Sequence, residues 1–228
     1  MENISFISSE LFKASLAKSW LEKNNLKIFL DNRFGNGVSN TLIEKYFVGT
    51  SKHWSGATVF WQIDINGRIR AGKIMLYDSQ TGKIIKEPFN HITWVHTILK
   101  LKDFDLKQCF FGEHLLRESN NPVAIVDGED TAIICSVYFP QLIWLAAGGR
   151  NNINEEKCQI LKGRDVVLFP SCKGFDKWNQ IAEEMNFKIS DLLEQRATKE
   201  EYERGINLAD YLLKFDPEEF KERNKKFN

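Results

Sequence analysis

The sequence has little to offer a structural metal site. Its four cysteines, Cys109, Cys135, Cys158 and Cys172, stand 26, 23 and 14 residues apart. A zinc ribbon closes its tetrahedral site with two close cysteine pairs, and none is present, so no zinc is expected. Cys109 and Cys135 lie in apolar runs, which suits reduced core thiols. The four histidines form no HExxH pattern, and no GxxxxGK[ST] phosphate loop occurs. No apolar run approaches the roughly 20 residues of a membrane helix. The first nine residues lack the charged-then-apolar order of a secretion signal. A cytoplasmic protein with no membrane partner is the expectation. Net charge is missing too: 31 Lys and Arg balance 31 Asp and Glu. That excludes a wholly basic nucleic-acid binder but leaves room for a local basic patch.

What is present can fold. The 228 residues are 43% hydrophobic and 27% charged, enough for one large domain or two small ones with a real core. The charge is sorted along the chain. Residues 1–100 carry 13 basic and 8 acidic groups, whereas residues 101–185 carry 9 and 13. A basic first part beside an acidic middle suits a binder of phosphate backbone coupled to a metal site.

The opening reads as helices. A serine cap at Ser8 or Ser9 starts one that runs to about Glu22. Leu26–Phe34, ended by Gly35, makes a second, and Thr41–Phe47 a third. The period then changes. The β-branched and aromatic stretch from Ala57 to Ile65 reads as a strand, and Asn66-Gly67 as a hairpin turn. Arg68–Tyr77 returns, and Lys83–Glu87 adds a short third strand. His91–His96 reads as helical packing; its five-residue spacing puts the two histidines on different helix faces.

The middle alternates strand and helix. Gln108–Phe111 reads as a short apolar strand. Val123–Val126, Leu142–Ala146 and Asp165–Phe169 are near-continuous apolar runs, as in buried parallel strands. Thr131–Tyr138, Asn154–Leu161 and Phe175–Asn186 read as the helices between and after them. From Ser190 the chain is polar and helical, with a capping box at Thr198 and Glu201, a cap and first-position proline at Asp216-Pro217, and a frayed end over Lys221–Asn228. The fold class is α/β (mixed α+β): a helical and antiparallel first part, a parallel sheet with flanking helices, and a helical tail. The expected boundaries are 1–104, 105–187 and 188–228. Parallel sheets place ligands at the carboxyl ends of their strands. Here those ends are Asp127-Gly128-Glu129-Asp130, Gly148-Gly149 and Pro170-Ser171-Cys172-Lys173.

Three segments carry a resemblance: Val123-Ala-Ile-Val-Asp-Gly-Glu-Asp-Thr-Ala132, Ala146-Ala-Gly-Gly149 and Val166-Val-Leu-Phe-Pro-Ser-Cys-Lys173. Over roughly residues 105–186 the chain resembles a Toprim domain, the topoisomerase–primase module. The preceding meander, Val59 to Lys73, looks like the strands before that sheet in bacterial primases. As a whole the chain looks most like the primase-like Toprim proteins of Bacteroidetes mobile elements and phages, without the N-terminal zinc ribbon that many of those carry. The resemblance implies a Glu at the end of the first sheet strand and an Asp-x-Asp pair at the end of a later one, holding Mg²⁺ or Mn²⁺ on phosphate. Those positions here are Asp127, Ser171 and Lys173. One charge is kept on a shorter side chain, one hard ligand is lost, and one is replaced by a cation.

Two site readings follow. In one, Asp127, Glu129 and Asp176 form a rearranged, weak metal site with Asp127 catalytic; Glu129 and Asp130 equally suit the first turn of a helix. In the other, metal affinity is traded for phosphate affinity through Lys173, Arg150 and the Gly148-Gly149 backbone. In the first part, Arg68, Arg70 and Lys73 on the meander are candidate phosphate contacts. Trp54 and Trp61 with Lys52 and His53 form an aromatic–basic cluster suited to stacking single-stranded bases. The leading expectation is a primase-like, DNA-binding protein of replication or mobilisation with a degraded metal site. The alternatives are an active Mg²⁺- or Mn²⁺-dependent nucleotidyltransferase or nuclease, and a protein-interaction module. Single-stranded or template DNA is the expected partner, with a replication protein a second.

Overall fold

The structure is a computed structural model and describes residues 4–224. The chain forms two compact units that divide between Cys109 and Phe110. The mixed α+β class read from the sequence is the class observed: one antiparallel sheet, one parallel sheet, and helices around them.

The first unit runs α1 Ser9–Ser15, α2 Lys18–Leu21, α3 Asn25–Phe34, α4 Asn36–Lys45, β1 Gly49–Ser51, β2 Ala57–Ile63, β3 Ile69–Met75, β4 Ile92–Trp94 and α5 Val95–Ile98. The strands form an antiparallel sheet in the order β1-β2-β3-β4. Every residue of β2 is buried, because both faces of the strand are covered. Val59, Trp61 and Ile63 meet Ile7, Ile74 and Val95 on one side. On the other, Phe60 packs edge-on to Tyr77, and α3 lies against the strand. Asn24 fixes that helix. Its carbonyl oxygen accepts from the Lys27 amide and the Thr58 hydroxyl, while its amide donates to Gly49 O and Thr50 Oγ1. A buried amide with all these bonds made ties one helix to two strands at no desolvation penalty.

The single long opening helix read to Glu22 is two short ones, broken at Leu16 and Ala17. The third helix starts earlier than read, at Asn36, and stops before Phe47, whose φ is +49°. The Asn66-Gly67 turn is present; the Asp64 carboxylate accepts from the Asn66 and Arg68 amides and rigidifies it. Lys83–Glu87 is no strand, holding only the bridge from Ile84 to Tyr77. His91–His96 is corrected as well: Ile92–Trp94 pairs with Lys73–Met75 as the sheet edge, and the helix begins only at Val95. Isolated periodicity cannot separate a three-residue edge strand from a helical turn.

The second unit runs β5 Val123–Val126, α6 Glu129–Tyr138, β6 Ile143–Ala146, α7 Glu155–Cys158, β7 Val166–Leu168, α8 Phe175–Met185, β8 Lys188–Ile189, α9 Leu192–Arg196, α10 Lys199–Arg204, α11 Leu208–Leu212 and α12 Pro217–Asn224. Its sheet is parallel in the order β6-β5-β7-β8. Central β5 pairs with β6 and β7, and all four of its residues are buried. Helix α6 is buried nearly all round, packed between the sheet and α11 with α12. Tyr138 Oη donates to Phe215 O at 2.9 Å across that layer. Gln108–Phe111 contributes only the bridge between Phe111 and Ala146. Strand β8 was not read in the sequence: two residues after a left-handed Asn186 carry too little pattern. The Thr198 capping box is formed, and the Asp216 carboxylate accepts from the Glu218 and Glu219 amides. The last helix continues to Asn224, so the frayed end does not begin at Lys221; residues 225–228 lie outside the described residues. Among the described residues no helix is long and apolar enough to cross a membrane.

Candidate functional site

At the carboxyl end of the parallel sheet, three loops meet. The loop after β5 carries Asp127, that after β6 carries Gly148-Gly149-Arg150, and that after β7 carries Ser171-Cys172-Lys173. Backbone bonds register them: Ala147 N donates to Val126 O at 2.9 Å and Gly149 N to Asp127 O at 2.8 Å.

Arg150 dominates this end. Its Nη2 donates to Ser171 Oγ at 2.8 Å and to Cys172 O at 3.0 Å. Trp178 on α8 donates its indole N–H to Arg150 O at 3.0 Å. Gly174 makes room for the guanidinium, since a Cβ there would lie 2.9 Å from Ser171 O and 3.2 Å from Arg150 Nε. Burial pushes the Asp127 carboxyl above the usual carboxylate range, while Ser171 and the Arg150 charge pull the other way and are outweighed. Three buried atoms here lack a hydrogen-bond partner: Asp127 Oδ1, Arg150 Nε and Thr131 Oγ1.

The remaining predicted residues are dispersed. Glu129 is buried in the first turn of α6, and Asp176 is exposed in the first turn of α8. Among the described residues, no three His, Cys, Asp or Glu side chains converge to hold a metal ion, so Asp127, Glu129 and Asp176 form no such cluster. Lys173 is exposed, with φ +65°, and its ammonium donates to Glu203 O at the end of α10. Arg150 and Lys173 thus each turn to an internal acceptor.

In the first unit, Arg68 and Arg70 share one buried carboxylate: their Nε atoms lie 2.9 and 3.0 Å from Asp64 Oδ2. Both guanidiniums also lie over the Phe6 ring, at 5.1 and 5.3 Å. Lys73 is buried, opposite Phe60 and Trp94 in the sheet. Trp54 belongs to an aromatic group that the sequence reading found only in part. Its ring is 4.4 Å from His53 and 5.1 Å from His91, and His91 stacks on Phe89 at 4.3 Å. Phe89 is 55% exposed. Trp61 is not part of this surface; it is buried and donates Nε1–H to Ser15 Oγ at 2.9 Å.

This combination of meander and parallel sheet is the fold of primase catalytic cores. The chain is similar to a DnaG primase catalytic domain bound to ssDNA, at TM-score 0.57 and 11% identity, covering 95% of this chain and 76% of that one. It is similar to the E. coli primase catalytic core (TM-score 0.53, 12% identity, 90% and 81% covered). It is also similar to the RNA polymerase domain of Mycobacterium tuberculosis primase DnaG (TM-score 0.51, 9% identity, 94% and 82% covered). The chain belongs to the family described as a domain of unknown function, DUF6371, matched over residues 24–172. No curated protein matches its sequence.

A divalent metal is what this fold's resemblance implies, and the residues do not fit one. Mg²⁺ takes hard, anionic oxygens in near-octahedral array. Here no three ligating side chains converge among the described residues, burial favours the neutral form of the Asp127 carboxyl, and a guanidinium is bonded to the hydroxyl that stands in place of a second carboxylate.

Proposed function

We propose that this protein is a nucleic-acid-binding member of the primase fold, serving replication or mobilisation of a mobile element or phage, whose Toprim site is held by the Arg150 hydrogen bonds and performs no metal-dependent phosphoryl transfer. The observation that carries this reading is Arg150 on Ser171 and Cys172, beside Asp127. The guanidinium supplies internally the positive charge that a metal would bring, and it is fixed by the fold. Metal affinity at this site is accordingly weak. Single-stranded DNA is the proposed partner, since one of the similar primase domains holds it. The Phe89–His91–Trp54 rings offer stacking faces. A replication protein is a second proposed partner.

The test is end-labelled single-stranded DNA incubated with protein, nucleotides and Mg²⁺ or Mn²⁺, run on a denaturing gel beside a salt series of binding. The expected result is binding that weakens steeply with salt and no extension or cleavage. A variant with Asp127→Glu, Arg150→Ala, Ser171→Asp and Lys173→Asp rebuilds the metal pattern and is the positive arm. Chelator-sensitive products from the natural sequence would overturn the inactive site. Absence of DNA affinity at low salt would overturn the binding role.

A further inference from the structure

The sheet of the first unit holds a cavity that the nucleic-acid reading does not use. It encloses about 480 Å³ between α1, β1 to β3 and α5. That volume lies within the range of small-molecule sites, about 300–1,000 Å³. The floor is Val59, Trp61, Ile74 and Val95, all buried core residues. Trp61 is held rigidly there. Its N–H is bonded to Ser15, and its ring lies on Gly72, where a Cβ would approach Trp61 Cζ3 to 2.5 Å and Val95 Cγ2 to 2.7 Å. Only a residue without a side chain lets the indole lie flat on β3. The lips include Leu11 and Leu99, which are 41% and 40% exposed and extend the apolar lining to the mouth.

The charge of the lining has one sign. It contains Lys52 and His53 and no acidic residue. The Lys52 ammonium sits 4.5 Å over the Trp20 ring, so it is posted at the mouth by a cation–π contact. A second cavity, of about 700 Å³, lacks this selectivity, because its lining holds Glu22 and Glu44 as well as Lys18 and Lys27. An apolar floor with a single cation at the rim recognises a molecule that is apolar at one end and anionic at the other.

We propose that this cavity is a binding site for a small amphiphilic anion, an aromatic or branched aliphatic carboxylate whose apolar body lies on Trp61 and whose charge meets Lys52. The site uses none of the Toprim residues. The experiment is equilibrium dialysis of the full chain with 2-naphthoate, the neutral 2-naphthalenemethanol and the cationic 2-naphthylmethylammonium. Saturable one-to-one binding of the carboxylate is expected, with the alcohol about two- to fivefold weaker, the yield of one exposed ion pair, and the cation weaker still. Lys52→Glu should invert the order of carboxylate and cation. Ala14→Trp and Leu99→Trp, both at exposed lip positions, should each block binding with the urea midpoint unchanged. No saturable binding to the natural chain, equal affinity for all three probes, or binding that survives both blocking variants would each overturn the proposal.

Discussion

Removing the Arg150 guanidinium tests the logic of the Toprim site most directly. Arg150→Ala deletes the hydrogen bonds to Ser171 Oγ and Cys172 O and strips Asp127 of its nearby cation. A hydrogen bond involving a charged group contributes about 1.5–3 kcal/mol. Arg150 is only partly buried and makes two such bonds, so the expected loss is about 2–4 kcal/mol at pH 7. The Asp127 carboxyl is raised by burial, so its neutral form favours the folded state. Stability from this group is therefore full below the ordinary carboxylate range and is lost as pH rises through the raised value. Without Arg150 that slope steepens, so the variant should lose less at pH 4 than at pH 7. Adding Asp127→Asn removes the uncompensated charge and should restore about 1–2 kcal/mol in the Arg150→Ala background. Urea unfolding followed by tryptophan fluorescence at both pH values completes the cycle, given an unchanged m-value. Additivity of the two substitutions within about 0.5 kcal/mol would refute the coupling.

Three further outcomes are expected. Phe89→Ala should weaken single-stranded DNA binding by about 1–3 kcal/mol, the worth of one stacked base, and leave the urea midpoint nearly unchanged because the ring is 55% exposed; an unaltered binding curve would remove these rings from the interface. Gly72→Ala should destabilise by about 1–3 kcal/mol through overpacking, since the new methyl meets both Trp61 and Val95; a neutral effect in thermal unfolding would contradict the fixed indole. All four cysteines are buried free thiols, and burial pushes the Cys158 thiol up to about 11. A thiol reagent at pH 8 should therefore label the native chain only at its unfolding rate and all four sites at once in denaturant, whereas fast native labelling would refute the burial.

The parallel sheet was legible because β5, β6 and β7 are short, continuous apolar runs, the pattern that burial on both faces imposes. Asp127 was legible as a strand-end carboxylate for the same reason. Arg150 was read as a phosphate ligand, because a sequence shows a charge without the direction of its side chain. The Ser171 and Cys172 acceptors lie 21 and 22 residues away, beyond any local pattern. Lys73 shows the opposite failure. It was grouped with Arg68 and Arg70 as a candidate phosphate contact, whereas it is buried in β3, opposite Phe60 and Trp94. Phe89 was passed over since nothing within Pro88–His91 marks an exposed ring, and its other neighbour, Trp54, comes from a separate segment.

The loop bearing Ser171 is tethered from downstream. Cys172 N donates to Ile206 O at 2.9 Å, Lys173 reaches the Glu203 carbonyl, and the Cys172 side chain packs with Leu193 and Ile206. The C-terminal helices therefore work as a latch on the sheet end. A break or a frameshift past residue 190 would leave Asp127, Arg150 and Ser171 untouched in sequence, yet would release the loop that aligns them. A shortened chain would then mimic a lesion at the sheet end itself.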